Sequence, residues 1–306
     1  MRMLVVGAGS VGGYFGGMLA KAGRDVTFLI RPARARQLAN GLTIVGSDGE
    51  QTIPVKTMTA GTAADAFDAI FLSVKAYQLS DAITDFAPYV SGETIILPVL
   101  NGMKHMDALR ERFGARHVIG GVARVFASLD PDGRVLDQGI FHDLTYGEWD
   151  GAKTERTAAL DAFLAHAGFN ARLSAEIERE MWEKWAQLAS LGAITSLMNA
   201  DTKEIALADG GRDFIVALFH ETVRAVAAAW GPLSDQFQST VLAWLTNTES
   251  ALTSSLYRDL QVPGRPLESD EILGDLLRRA NGGVANYPLL SAALTRLRVY
   301  ERSQAE

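Results

Sequence analysis

Apolar positions along the chain follow two different regimes. In the first half, short compact apolar runs at residues 3–6, 26–30, 69–74 and 94–100 alternate with segments whose apolar residues recur at helical spacing: 10–22, 33–40, 79–86 and 103–113. Gly23, Gly41 and Gly114 stop three of these helices, and Pro88 ends the one at 79–86. Residues 42–45 and 52–58, split by Ser47-Asp48-Gly49-Glu50, predict a hairpin. Buried strands interleaved with helices predict a parallel sheet with helical crossovers. From residue 118 to 147 the texture changes. Runs at 122–129, 134–136 and 141–146, with the turn Asp130-Pro131-Asp132-Gly133, predict an antiparallel extension. A helix at 154–167 and a strand at 170–173 close this half.

After residue 174 the strand signals stop. Helical periodicity covers 176–198, 214–230, 237–247, 269–280 and 289–302, separated by Gly- and Pro-containing loops such as Gly231-Pro232 and Pro263-Gly264. The expected fold is therefore an N-terminal doubly wound α/β domain of the Rossmann type with an antiparallel extension (1–174), followed by an all-helical domain (175–306). A length of 306 residues suits two domains.

Composition removes several classes of function. With no cysteine, a disulfide scaffold, a zinc ribbon, an iron–sulfur cluster and a thiol nucleophile are all excluded. A net charge of −7 argues against binding to a nucleic-acid backbone. Residues 3–20 carry no charge and superficially resemble a signal peptide or a membrane span, but six glycines interrupt them, so they are read as strand, turn and helix. The expectation is a soluble, cytoplasmic protein with no membrane partner and no metal site. The five histidines show no metal-ligand spacing.

Gly7-Ala8-Gly9-Ser10-Val11-Gly12 matches G-x-G-x-x-G between a strand and a helix. Gly7 permits the tight turn, Gly9 presents no side chain to a pyrophosphate, and Gly12 lets the helix approach the strand. The N–H groups at the helix start, on Ser10 and Val11 among others, can then face phosphate. A dinucleotide site of the NAD type places a carboxylate at the end of the second strand. Here that strand ends in Arg31, with Arg34 and Arg36 following. A guanidinium pairs bidentately with phosphate, so the expected cofactor is NADP(H), its 2′-phosphate held by Arg31.

Ligands of doubly wound sheets bind beyond the carboxyl ends of the strands, which singles out Lys75 and Asn101. By themselves these two are ordinary loop residues. Lys184, in Trp182-Glu183-Lys184-Trp185, by itself reads as a lysine laid over apolar neighbours. Glu268 reads as a carboxylate favoured by a helix N-terminus, and Ser254 and Ser255 as helix or loop hydroxyls.

Taken in order, Gly7–Gly12, Lys75-Ala76-Tyr77-Gln78, Asn101-Gly102-Met103, Trp182-Glu183-Lys184 and Ser255-Leu256-Tyr257-Arg258-Asp259 with Glu268 resemble the ketopantoate (2-dehydropantoate) reductase family over essentially the whole chain. The resemblance implies a Rossmann domain and a helical domain with the site in the cleft between them. It also implies NADPH-dependent reduction of 2-dehydropantoate to (R)-pantoate, a step of pantothenate and coenzyme A synthesis. Lys184 would be the catalytic lysine, hydrogen-bonding the 2-oxo oxygen and supplying a proton. Glu268 would position the substrate hydroxyl and hold Lys184. Asn101 would bridge cofactor and substrate, Ser255 would bind the substrate carboxylate, and Lys75 would sit by the cofactor.

The chain also departs from that pattern. Members acting on ketopantoate typically carry Asn one and two helical turns beyond the catalytic lysine, where this chain has Leu188 and Gly192. One extra residue stands between Asp259 and Glu268. A different 2-keto acid, fitting a more apolar and roomier pocket, is the alternative substrate. A non-catalytic NADP(H) sensor is a further alternative, against which Lys184 and Glu268 argue. The helical half offers a face that a homodimer could bury.

Overall fold

The computed structural model describes residues 1–304. Contacts divide the chain into two compact units. The first holds Met1–Leu100 and His105–Met181. The second holds Asn101–Lys104 together with everything from Trp182 onward.

The first unit is a mixed α/β body. Five strands form a parallel sheet: β1 (Arg2–Val6), β2 (Asp25–Leu29), β5 (Lys56–Met58), β6 (Ala69–Leu72) and β7 (Ile95–Pro98), in the order β5-β2-β1-β6-β7. Strands β1, β6 and β7 are apolar and buried at almost every position, as a sheet covered on both faces requires. The chain winds outward from β1 through β2 to β5, then returns to β6. The point where the winding reverses therefore lies between β1 and β6, where doubly wound sheets open a crevice.

A second sheet contains β3 (Leu42–Gly46), β4 (Gly49–Ile53), β8 (Gly120–Leu129), β9 (Val135–Gly147) and β10 (Asn170–Leu173). The antiparallel ladders are β3–β4 and β8–β9, and β9 also runs parallel to β3 and β10. The chain just ahead of β8 runs beside β7 of the first sheet at the isolated bridge Ile96–Val118. Two expectations are refined here. The runs at 134–136 and 141–146 are one long strand, β9. The run at 52–58 breaks at Pro54 into β4 and β5, which lie in different sheets, because proline cannot continue a ladder.

Helix α1 (Ser10–Lys21) packs against both sheets, and its glycines explain how. A Cβ on Gly16 would lie 2.7 Å from Phe28, in the parallel sheet, while Cβ atoms on Gly13 and Gly17 would lie 2.8 Å from Val135 and 2.9 Å from Leu42, in the second. Phe15 and Leu19 are fully buried between these contacts. The crossover helices α2 (Pro32–Gln37), α3 (Leu79–Phe86), α4 (Lys104–Phe113) and α5 (Glu155–Leu164) complete this part of the chain. In α5, Thr154 and Thr157 form a reciprocal cap at the N-terminus.

Beyond residue 174 the chain is helical: α6 (Ile177–Met198), α7 (Thr202–Leu207), α8 (Gly211–Ala229), α9 (Asp235–Leu245), α10 (Ser255–Leu260), α11 (Asp275–Arg279) and α12 (Pro288–Ser303). Helices α7 and α10 escaped the periodicity reading because six residues are too few to show a repeat. Each is nucleated instead by a side-chain cap, Asp201 and Ser254 respectively. No helix among the described residues is long and apolar enough to cross a membrane.

Within the second unit, the carboxylate of Glu221 on α8 is 4% exposed and accepts the N–H groups of Leu289 (3.0 Å) and Leu290 (3.0 Å) at the start of α12. A buried anion thereby caps a helix of sixteen residues through its unpaired amides. Replacing Glu221 by Ala should lower the unfolding free energy by about 1–3 kcal/mol. Urea denaturation of the two proteins checks this.

Candidate functional site

The glycine turn has the physical features a pyrophosphate needs. Gly7 has φ +92°, which L side chains rarely adopt. A Cβ at Gly12 would lie 2.1 Å from the Gly7 carbonyl oxygen, so helix and turn can approach only if residue 12 is glycine. A Cβ at Gly9 would meet nothing within 4 Å, which leaves the space above the turn open. Helix α1 starts at Gly9 with no side-chain cap and no acidic residue in its first turn. Its first amides and the positive end of its dipole therefore remain available to an anion. The cradle fits a dinucleotide.

Two neighbours that the sequence reading did not assign hold this turn. Ser73, just past β6, donates its hydroxyl to the Gly7 carbonyl at 3.0 Å. Arg34 donates Nε to the Ala8 carbonyl at 3.0 Å and Nη1 to the Gly133 carbonyl at 2.7 Å. Burial pulls the Arg34 guanidinium below its ordinary range, with Asp130 opposing. The arginine cluster is thus divided. Arg34 turns inward to the backbone, whereas Arg31, two residues past β2 at the N-cap of α2, has its side chain 62% exposed and 3.6 Å from Asp81. Arg36 is exposed.

Lys75 follows β6, half-buried and in extended conformation, ahead of a single 3₁₀ turn at Ala76–Gln78. Lys75 belongs to the first unit. Asn101 follows β7 but belongs to the second.

The second unit gathers the other candidates around α6. Asn101 is half-buried, and the next residue, Gly102, has φ +74° with its would-be Cβ 2.5 Å from the Glu271 carbonyl oxygen. The Asn101 turn therefore lies directly on a π-helical segment, Asp270–Gly274, that begins two residues after Glu268. Such segments interrupt the regular ladder and recur at functional sites. Glu268 is 4% exposed. Burial pushes the neighbouring Glu271 carboxyl up; its own backbone and Lys104 oppose this, and the charges of Asp270 and Glu268 add to it.

Two polar cross-links set the register of α6 against these segments. Trp185, next to Lys184, donates its indole N–H to the Ile272 carbonyl at 2.9 Å, one helical turn beyond Glu268. Thr195 pairs with the Ser254 hydroxyl at 3.0 Å in the interior. Ser254 Oγ also accepts the Tyr257 N–H at 2.9 Å, so Ser254 is committed to capping α10. Ser255 is half-buried in the first turn of α10. Lys184 is half-buried, flanked by Trp182 and Trp185, whose rings lie 4.9 Å apart, and Trp182 stacks on Trp230 at 5.8 Å.

Gly192 lies two turns beyond Lys184 on α6. A Cβ there would meet Leu256 Cδ2 at 3.4 Å and Ile272 Cγ2 at 3.8 Å. The more apolar surroundings expected at this position are present: Leu256 and Ile272 are each 2% exposed, and a Cβ would rest in ordinary contact with both. Leu188 is half-buried on the intervening turn.

A strand–glycine turn–helix at the reversal point of a parallel sheet, followed in the chain by a helical unit, defines a Rossmann-type α/β protein with a helical C-terminal part. Family models described as ketopantoate reductase PanE/ApbA and ketopantoate reductase PanE/ApbA, C-terminal, match residues 3–151 and 176–301. The chain belongs to the ketopantoate reductase family. It is 32% identical over 302 residues to the uncharacterized oxidoreductase YkpB of Bacillus subtilis, covering 98% of this chain and 99% of that protein. A crystal structure of 2-dehydropantoate 2-reductase from Geobacter metallireducens superposes with a TM-score of 0.86 at 26% identity, covering 98% and 99% of the two chains. A ternary structure of D-mandelate dehydrogenase with NADH and anilino(oxo)acetate superposes with a TM-score of 0.86 at 21% identity over the full length of both chains, and so shares the fold.

Two outcomes follow from the geometry. Gly9→Ala should leave the thermal midpoint essentially unchanged and weaken dinucleotide binding, because its Cβ enters open space. Gly12→Ala should lower the thermal midpoint by several degrees, because its Cβ enters backbone. Calorimetry paired with dinucleotide titration checks both.

The Asp270 carboxyl is held at about 2, first by the Arg278 hydrogen bond, against burial, and further by Lys104. Its pKa in the folded chain lies below the unfolded value, so these pairs stabilise the fold above about pH 4 and are lost as pH falls toward 2. Asp270→Asn should therefore reduce stability at neutral pH and leave it unchanged near pH 2, as urea denaturation at the two pH values would show.

Proposed function

We propose that this chain catalyses the NADPH-dependent reduction of 2-dehydropantoate to (R)-pantoate, with the dinucleotide held by residues 1–174 and the substrate chemistry supplied by residues 175–306. The observation that carries the reading is the framework around α6. One helix bears Lys184 and is cross-linked, through Trp185 and Thr195, to the segments bearing Glu268 and Ser255. Membership of the ketopantoate reductase family, and the likeness to a chain named 2-dehydropantoate 2-reductase, support the substrate.

When bound, the dinucleotide supplies a hydride. In this reading Gly7, Gly9, Ser10, Val11 and Gly12 would hold its phosphates, Arg31 would pair with a 2′-phosphate, Lys75 would sit by the cofactor, and Asn101 would bridge cofactor and substrate. The Lys184 ammonium hydrogen-bonds the 2-oxo oxygen and stabilises the negative charge that develops there. It then delivers a proton to that oxygen as general acid. Glu268 accepts the substrate hydroxyl and keeps Lys184 in register, and Ser255 donates to the substrate carboxylate.

The apolar surroundings of Gly192 favour one second reading, a 2-oxo acid bearing an apolar substituent in place of the hydroxymethyl group. With Leu256 and Ile272 beside Gly192, and no amide side chain at residues 188 and 192, that hydroxyl has one hydrogen bond fewer, at a cost of about 1–3 kcal/mol. Specificity constants for 2-dehydropantoate and 3,3-dimethyl-2-oxobutanoate, which has methyl in place of the hydroxymethyl group, measured by NADPH absorbance, separate the two. The larger value for 2-dehydropantoate is expected.

Lys184→Ala should retain NADPH binding and lose turnover by about two to four orders of magnitude, the range spanned by a general acid. Unchanged turnover would remove Lys184 from the mechanism. NADPH binding without oxidation by any 2-oxo acid would identify a sensor rather than an enzyme.

A further inference from the structure

Glycines at positions 7 and 9 make the turn easy to fold and also easy to misplace. The Ala8–Gly9 peptide is planar and trans, so the Ala8 carbonyl and the Gly9 N–H point in opposite directions. Flipping that peptide rotates the φ of Gly9, and glycine accepts the mirror-image φ without a steric penalty. In the structure Gly9 sits at φ −75°. A flip would turn the Gly9 N–H away from the face where a pyrophosphate would lie and put a carbonyl oxygen there instead.

The structure contains a restraint against this flip. Arg34 Nε donates to the Ala8 carbonyl oxygen at 3.0 Å. The same guanidinium is fixed from two other directions, Nη1 donating to the Gly133 carbonyl at 2.7 Å and to Gln37 Oε1 at 3.0 Å. Gly133, in the β8–β9 turn, has φ +82°, and a Cβ there would lie 2.2 Å from Arg34 Nη1 and 2.8 Å from Gln37 Oε1. The absence of a side chain at residue 133 is what admits the guanidinium. Gly133 itself is held in the turn by its N–H bond to the Asp130 carbonyl at 3.0 Å.

We infer that Arg34 is a positioning residue for the dinucleotide: it clamps the Ala8 carbonyl against the β8–β9 turn and thereby presets the Gly9 N–H toward the pyrophosphate, while Arg31 alone reads the 2′-phosphate. This rests on the proposal that the glycine turn holds a dinucleotide. It divides a three-arginine cluster that looks uniform in sequence into one selectivity residue and one geometry residue. A clamp on the pyrophosphate end acts equally on NADPH and NADH, because the two differ only at the 2′ position.

The test measures dissociation constants of NADPH, NADH and 2′-AMP, a probe that carries the 2′-phosphate and lacks the pyrophosphate. Arg34→Met should raise the constants for NADPH and NADH by the same factor, roughly ten- to hundredfold for one charge-assisted hydrogen bond. It should leave 2′-AMP unchanged, which also shows that the variant is folded. Arg31→Met should do the reverse, weakening NADPH and 2′-AMP and sparing NADH. Gly133→Ala, which displaces the guanidinium from its second anchor, should weaken both dinucleotides, and adding it to Arg34→Met should cause little further loss. If Arg34→Met does not fold, Arg34→Lys, which keeps one donor, carries the comparison with a smaller equal loss.

A selective loss of NADPH in either Arg34 variant would make Arg34 a 2′-phosphate ligand and overturn the inference, as would unchanged affinity for both dinucleotides. Wild-type protein that binds NADH but not 2′-AMP would contradict the Arg31 reading, whereas the Arg34 clamp would still stand or fall on NADH.

Discussion

Helix α1 is wedged between two sheets, and the arrangement of the first unit follows from that. A helix carrying ordinary side chains would hold both sheets at normal packing distance. This one has glycine wherever Phe28, Val135 and Leu42 press on it, so the two sheets close on its backbone. Helix and turn are held by the same contacts, since Gly12 meets the Gly7 carbonyl and the Ser73 hydroxyl where any Cβ would collide. The start of α1 is therefore fixed relative to β1 and β6, the pair that flanks the crevice of the parallel sheet. An anion site built of backbone amides is only as well defined as the backbone, and here that backbone is braced from every side except the open one above Gly9.

The helical unit achieves definition differently. Its candidate residues lie on separate segments, and two of these segments are tied to α6 by a polar bond in the interior. Trp185 donates to the Ile272 carbonyl within the π-helical segment, and Thr195 meets Ser254 at the cap of α10. An unmade hydrogen bond in such surroundings costs about 1–3 kcal/mol, so these links specify register more sharply than apolar contacts, which tolerate sliding. The Asn101 turn joins the same framework through the Glu271 carbonyl. Polar bonds thus do for the segments bearing Lys184, Glu268 and Ser255 what close glycine packing does for the glycine turn.

The alternation of strand and helix, the glycine turn, the change of texture near residue 174 and the guanidinium at the end of the second strand are local properties, and each was legible in the chain. So was the order of motifs that marks the ketopantoate reductase family. Other features were not. The run at 52–58 reads as one strand because its apolar spacing is continuous, yet Pro54 sends its two ends into different sheets. Nor does the chain show locally that the nearest side chain to Gly192 is Leu256, sixty-four residues on.

What the amino-acid sequence determined by itself is the inventory: a dinucleotide turn, a lysine on a helix, a carboxylate, a serine pair and an arginine cluster in a chain with no cysteine. The tertiary structure alone decided how that inventory is used. It pairs the capping hydroxyl of Ser254 with Thr195 and leaves Ser255 out of that pair, turns Arg34 onto the backbone and leaves Arg31 exposed, and packs the glycines of α1 against two sheets. The physical reason is range. A turn or a helix is specified by neighbours a few residues away, whereas the bonds that separate Arg34 from Arg31 and Ser254 from Ser255 reach partners 26, 99 and 59 positions distant.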